Sequence, residues 1–149
     1  VLLFGGAMSI GFCLWQTGAA EWMAIGWLSL LHNAPWFVFI VGVAFFVMIM
    51  TNFIMNVAAI AITLPVALVM ARYMGVHPEV VVFASLTAAG MPFMFLVGAA
   101  PNAIAFESKM FHTREFFLHG LPASAMLMLV IALFVWKVWP MMGMPVLTG

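Results

Sequence analysis

Two short polar interruptions lie inside long apolar runs of this sequence. The first is residues 51–57, where Thr51, Asn52 and Asn56 separate two stretches that carry no charge. The second is residues 98–103, with the sequence Gly-Ala-Ala-Pro-Asn-Ala. An unpaired polar group in hydrocarbon costs on the order of several kcal/mol, so amides at such positions indicate a binding site. We expect the two interruptions to meet in the middle of a membrane.

The composition predicts an integral membrane protein. Of the 149 residues, 68% are hydrophobic and only 5% are charged, whereas a soluble domain has about 25% charged residues. Four basic and four acidic residues give zero net charge, and no basic stripe is present that could neutralise nucleic-acid phosphates. We therefore expect an all-α, multi-pass protein of the cell (inner) membrane, with the lipid bilayer around it and no nucleic-acid partner.

Four predicted elements position the interruptions. They are a glycine-rich transmembrane helix at 1–31, a re-entrant hairpin at 35–72 with its tip at 51–57, a discontinuous helix at 78–112 broken at 98–102, and a final transmembrane helix at 116–139. The hairpin is predicted because the run from 37 to 70 is too long for one span of about 20 residues and too short for two. Its arms would be two short helices, at about 37–50 and 58–71. Local signals predict a break at 16–18, a helix stop at Gly75 and a helix start at Pro78.

An ordered set of short motifs resembles the C-terminal repeat of the divalent-anion:sodium symporters for dicarboxylate or sulfate, within a wider ion-transporter superfamily. The motifs are Val-Leu-Leu-Phe-Gly-Gly-Ala at 1–7, Gln-Thr-Gly-Ala-Ala-Glu-Trp at 16–22, Thr-Asn-Phe at 51–53 with Asn56, Leu-Pro-Val at 64–66 and Gly-Ala-Ala-Pro-Asn-Ala-Ile at 98–104. The resemblance covers nearly the whole chain in order. Arsenite permeases and citrate carriers have similar hairpins, so a permease of that type is an alternative.

The resemblance implies one half of an inverted-repeat secondary transporter that carries a small divalent anion with sodium by alternating access. The N-terminal repeat of the same transporter, or a partner subunit, would supply the rest of the site. Sodium is the expected coupling ion, no cofactor is expected, and a homodimer is left open. By resemblance, the substrate-binding residues are Asn56, Thr51 and Asn102, and the sodium-binding residues are Thr51, Met55, Asn56, Gly98, Pro101 and Asn102.

The sequence departs from the family pattern at the hydroxyl positions. Where the family has Ser-Asn-Thr, this chain has Met55, Asn56 and Val57, and an alanine, Ala99, stands where threonine is usual. Donors to an anion and side-chain oxygens for sodium are thereby lost, although backbone carbonyls remain. This loss leaves open a different class of function, a structural membrane subunit derived from a transporter half. Asn56 and Asn102 would then only hydrogen-bond between helices.

The sequence predicts neither an enzyme nor a transition-metal site. Ser9, Ser85 and Ser124 have no base and orienting group in a recognisable arrangement. The four histidines occur singly, without the spacing of four that would place two ligands on one helix face. The 15 methionines are interpreted as apolar filling rather than as copper ligands.

Overall fold

The computed structural model describes residues 6, 9, 13, 16–54, 56–95, 99–109 and 112–147. The described residues form helices, and their one β-type contact is an isolated bridge between Val76 and Leu147. The prediction of an all-α protein is therefore confirmed. The helices are α1 (Ala19–Leu30), α2 (Trp36–Thr51), α3 (Asn56–Tyr73), α4 (Pro78–Ala89), α5 (Ala100–Glu107), α6 (Thr113–Leu133), a π-helical turn (Phe134–Val138) and α7 (Trp139–Met141).

Helix α2 lies at the centre of the packing and contacts α1, α3, α4 and α6. Its sequence is apolar on every side, which is typical of a helix surrounded by protein or lipid. Nine of its 16 residues are buried. Because α2 ends at Thr51, the polar residues that follow it are carried to the end of the most buried helix.

Small buried side chains spaced four residues apart line three of the helices. A spacing of four keeps these side chains on one face of a helix. Without large side chains in between, helix backbones approach closely, as in many membrane helix pairs. The residues are Ala20 and Ala24 in α1, Ala59, Thr63, Ala67 and Ala71 in α3, and Ala84 and Ala88 in α4.

Trp27 joins α1 to α2 in two ways. Its Nε1 donates a hydrogen bond of 3.1 Å to the carbonyl oxygen of Gly42. Its ring also packs on the rings of Phe45 and Phe46, with centroids 6.0 and 5.9 Å away. The contact combines a directional bond with a large apolar area and therefore fixes the position of α1 along α2.

The helix boundaries predicted at Gly18 and Gly75 are present in the structure. Gly18 has a left-handed φ of 71° and precedes α1, so the chain breaks at 16–18 as predicted. Gly75 has a φ of 67° just after α3, and Pro78 is the first residue of α4. Only glycine adopts these φ values without strain. Most of the first half of the predicted span 1–31 lies outside the described residues.

The second interruption begins earlier than predicted. Helix α4 ends at Ala89, and residues 91–95 are not helical. Proline at 92 disfavours a helical conformation of the residue before it and donates no backbone hydrogen bond. Helix α5 already begins at Ala100, so Pro101 lies in its first turn rather than in the loop predicted at 98–102. A proline fits that turn because the N–H it lacks would have no partner there.

Two of the described helices are long and apolar enough to cross a membrane, Asn56–Tyr73 and the continuous run Thr113–Met141. The second includes the predicted final span at 116–139. Helices α2 and α4, with 16 and 12 residues, are shorter than the roughly 20 residues that cross a bilayer. The hairpin arms α2 and α3 meet at a turn after Thr51, but the re-entrant geometry expected for 35–72 stays a prediction.

We expect Trp27→Phe to lower the free energy of unfolding by about 0.6 kcal/mol and by no more than about 1.7 kcal/mol. The substitution removes the bond to the Gly42 carbonyl and keeps an aromatic ring between α1 and α2. The free energy of unfolding is measured by titration of the purified protein with SDS in mixed micelles. Trp22→Phe is the matched control, because Trp22 is 77% exposed and its substitution should have no effect. Equal effects of the two substitutions would contradict the prediction.

Candidate functional site

Asn52, which follows α2, connects the two polar interruptions. Its side chain is 2% exposed. The Oδ1 atom accepts hydrogen bonds from the backbone N–H groups of Met94 and Phe95, each 3.1 Å long. The Nδ2 atom donates to the carbonyl oxygen of Met48 over 2.6 Å. The two interruptions are therefore in contact through residues 94 and 95, which precede the predicted bounds of the second one, and their position in the middle of a membrane stays a prediction.

Asn102 connects the two sides of the second interruption. It is the third residue of α5, and its Nδ2 donates a 2.8 Å hydrogen bond to the carbonyl oxygen of Pro92. Pro92 stands in the non-helical segment that follows α4. The Asn102 carboxamide therefore links the start of α5 to the chain ten residues earlier.

Thr51 and Asn56 differ in whether their polar atoms are paired. The hydroxyl of Thr51 is fully buried and donates to the carbonyl oxygen of Met48 over 2.9 Å. Asn56 is the first residue of α3, and its Oδ1 is enclosed without a hydrogen-bond partner among the described residues. An enclosed amide oxygen without a partner costs about 1–3 kcal/mol. Asn56 is thus a predicted site residue whose side-chain oxygen is available to a ligand.

The remaining predicted site residues give less information. Met55 and Gly98 lie outside the described residues. Pro101 is exposed in the first turn of α5, and it has no side-chain polar atom. Its ring fixes the backbone at the start of α5, which is a role in shaping the helix start.

Gly120 of α6 is a site residue that the sequence reasoning missed. A Cβ atom at this position would overlap the carbonyl oxygen of Phe93 and lie 2.8 Å from its carbonyl carbon. Helix α6 therefore packs directly on the backbone of the non-helical segment. Gly120 and Ser124 are both buried and four residues apart, which is the small-residue pattern of close helix contacts. That spacing was the signal available in the sequence.

A cavity of about 440 Å³ touches the non-helical segment at Phe93. Its other lining residues come from α6: Glu115, Phe116, His119, Gly120 and Ala123. The two polar groups are engaged locally, because Glu115 accepts from the His112 backbone N–H and His119 Nδ1 lies 2.7 Å from the Glu115 carbonyl oxygen. A second cavity, of about 520 Å³, includes Trp36 at the opposite end of α2 and is therefore remote from the interruptions.

Comparison of the sequence with known families identifies the family of this chain. Residues 1–146 match the family model CitMHS, described as citrate transporter. The chain belongs to the CitMHS family. This family and the relatives below are transporters rather than enzymes. The sequence of this CitMHS chain is therefore that of a membrane transport protein.

Two of the three curated relatives below have names that include sodium and dicarboxylate. The sodium-dependent dicarboxylate transporter SdcS of Staphylococcus saprophyticus is 26% identical over 147 residues, which are 98% of this chain and 28% of that protein. The Na(+)/dicarboxylate cotransporter 3 of Homo sapiens is 29% identical over 133 residues, covering 89% of this chain and 22% of that protein. An uncharacterized transporter of Caenorhabditis elegans is 32% identical over 111 residues, covering 73% and 19%.

These matches confirm the resemblance that the sequence motifs indicated. The CitMHS chain spans less than a third of the length of these curated relatives. The activity, substrates and partners of the complete transporter are therefore proposed below.

We expect Gly120→Ala to lower the free energy of unfolding by roughly 1–3 kcal/mol, the usual cost of overpacking. The added methyl group would meet backbone, which cannot rotate away as a side chain can. Gly26→Ala in α1 is the matched control, because no atom lies within 4 Å of a Cβ at that position and alanine favours a helix by roughly 0.5–1 kcal/mol. Unfolding in mixed micelles should therefore move in opposite directions for the two variants. Equal stabilisation by both would contradict the close approach at Phe93.

Proposed function

We propose that this chain supplies one half of a transporter that couples sodium to the movement of a small divalent anion. The names of the staphylococcal and human relatives support both the ion and the substrate class. The small share of those proteins that the chain spans supports a partner half, either an inverted repeat on the same polypeptide or a second subunit. The assembly would be a multi-pass protein of the inner membrane, with residues 35–72 as a re-entrant hairpin.

The observation that carries the proposal is the free oxygen of Asn56. This Oδ1 is enclosed, has no partner among the described residues, and lies at the start of α3 after the turn that holds Asn52. An amide oxygen is a suitable ligand for a hard cation such as sodium. The N–H groups at the start of a helix attract anions. One residue at this position therefore serves a cation through its oxygen and an anion through its neighbouring donors.

The proposed sodium site uses oxygens from both interruptions. Thr51 already donates its hydroxyl hydrogen to Met48, so its oxygen lone pairs are directed elsewhere and remain available to a cation. Met55 and Gly98 would contribute backbone carbonyls. Pro101 and Asn102 shape the start of α5, and the bond from Asn102 to Pro92 keeps that start close to the non-helical segment.

Sodium makes transport of a divalent anion feasible for electrostatic reasons. Moving charge through a low-dielectric region is costly, and a bound cation neutralises part of that charge. Alternating access would then move the substrate-bearing unit, which contains both interruptions, against a scaffold. Ligand sites at the ends of broken helices near mid-membrane are typical of secondary transporters.

Three anions are candidate substrates. Relatives named for dicarboxylate favour succinate, the family description favours citrate, and the resemblance also includes sulfate. Met55 and Val57 stand where the family has hydroxyl residues, and the hydroxyl of Thr51 already donates to Met48. Anion donors would therefore come from Asn56, from the start of α3 and from the other half of the assembly.

The missing hydroxyls also favour one competing function, a structural membrane subunit that does not transport. Such a subunit would need its asparagines only to hold helices together. The bonds made by Asn52 and Asn102 fit that role, whereas the free oxygen of Asn56 does not.

We expect Asn56→Ala to reduce sodium-driven uptake at least tenfold, because losing one ligand contact of about 1.5–3 kcal/mol changes affinity by that factor or more. Uptake of radiolabelled succinate, citrate and sulfate is measured in proteoliposomes that contain both halves, with and without a sodium gradient. Asn33→Ala is the matched control, because Asn33 is exposed and its side chain contacts the adjacent residue His32, at 3.1 Å, rather than a distant part of the chain. This control should transport normally.

Two outcomes would overturn this proposal in different ways. Uptake that is unchanged in Asn56→Ala would remove Asn56 from the site and leave sodium-coupled transport in place. No uptake of any of the three anions, by an assembly of normal stability, would favour the structural subunit.

A further inference from the structure

The non-helical segment 91–95 is held from three directions. Asn102 of α5 bonds the carbonyl of Pro92, α6 lies against the backbone of Phe93 at Gly120, and Asn52 bonds the amides of Met94 and Phe95. The first two contacts come from elements that follow the segment in the chain. The bonds from Asn52 are different, because they come from the hairpin tip more than 40 residues earlier.

We propose that Asn52 is a positioning residue that locks segment 91–95 to the hairpin tip, so that both polar interruptions move as one unit. This inference rests on the proposed sodium-coupled transport. It assigns to Asn52 the bonds between the hairpin tip and segment 91–95. Asn52 would set the distance between the two sets of ion-binding oxygens without contacting the ion.

The geometry of the Asn52 carboxamide supports a positioning role. Its Oδ1 receives two successive backbone N–H groups, and such a pair forms a concave donor site that suits an oxygen atom. Its Nδ2 is tied to Met48 in α2. The oxygen of the carboxamide is thus bonded to segment 91–95 and its nitrogen to α2. The side chain is 2% exposed. A side chain bonded in this way has little capacity left for a ligand.

A second contact strengthens the same joint. The ring of Phe53, next to Asn52, packs on the ring of Phe95 with centroids 5.3 Å apart. Phe95 in turn packs on Phe117 of α6, at 5.7 Å. The rings add apolar contacts beside the hydrogen bonds. The joint between the tip and segment 91–95 therefore combines directional and apolar contacts.

The backbone N–H groups of Met94 and Phe95 give a direct test of the joint. Amide hydrogen exchange is measured by mass spectrometry on the assembled protein in lipid nanodiscs. We expect Asn52→Leu, which has a similar shape without polar atoms, to speed exchange at 94 and 95 at least tenfold. Asn52→Asp keeps an oxygen facing both amides but loses the donor to Met48, so exchange at 94 and 95 should be slower than in Asn52→Leu and faster than in the unsubstituted protein. Asn33→Leu in the exposed turn is the control and should leave the exchange unchanged.

Sodium dependence of uptake distinguishes a positioning residue from a purely structural one. We expect Asn52→Leu to raise the sodium concentration at half-maximal uptake at least fivefold, because the two oxygen sets would no longer be held together. Asn52→Asp, which keeps the acceptor for both amides, should bring that concentration part of the way back toward that of the unsubstituted protein. A loss of assembled protein alone would lower the maximal rate and leave the sodium concentration at half-maximal uptake unchanged.

The outcomes separate this inference from the proposed function. Unchanged exchange at 94 and 95 in Asn52→Leu would overturn the joint, whatever the transport activity. Unchanged half-maximal sodium concentration, with faster exchange, would show that the joint does not serve the sodium site and would also overturn the proposal. If Asn52→Leu fails to assemble, exchange at 94 and 95 of the unsubstituted protein that is as fast as exchange at the exposed turn around Asn33 overturns it. Absence of uptake by the unsubstituted assembly instead counts against the proposed function, and the exchange result still decides the joint.

Discussion

The rest of this structure depends on one constraint, that peptide groups away from water must find partners within the protein. The helices meet this constraint internally, but segment 91–95 does not, because proline at 92 prevents α4 from continuing. Two side-chain carboxamides supply the missing partners. Asn52 accepts from two backbone N–H groups, and Asn102 donates to one carbonyl. The amides that make the interruptions polar are therefore also what makes the second interruption stable.

The asparagines divide into two kinds according to how many of their atoms are paired. Asn52 is bonded at both ends of its carboxamide, and the Nδ2 of Asn102 bonds a carbonyl across its own interruption. Asn56 has an enclosed oxygen with no partner among the described residues. Residue type alone does not distinguish them, since all three are amides at helix breaks. The pairing does, because two of them hold segments of this chain together and the third has an oxygen left for the proposed ligand.

Local signals predicted much of the fold, because glycine and proline act through the backbone of a few neighbouring residues. The break before α1, the helix stop at Gly75 and the start of α4 at Pro78 follow from such signals. The role of Gly120 did not, because it depends on where α6 lies relative to residues 91–95. The end of α4 at Ala89 was not predicted either, although Pro92 is a local signal for it. Asn52 was visible as a buried amide, but its partners are more than 40 residues away in sequence.

The loss of both tip hydroxyls changes how the site has to work, and it does not by itself imply a silent subunit. With Met55 and Val57 in the sequence, the proposed site would use amide oxygens, backbone carbonyls and helix N-termini, which are groups that bind sodium and small anions without hydroxyls. A subunit with only a structural role gains nothing from an enclosed, unpaired amide oxygen, since an apolar residue of similar shape avoids the roughly 1–3 kcal/mol that it costs. Asn56 retains that oxygen between two apolar neighbours. A ligand that pairs with it would offset the cost, and this supports the proposed transport site over a purely structural role.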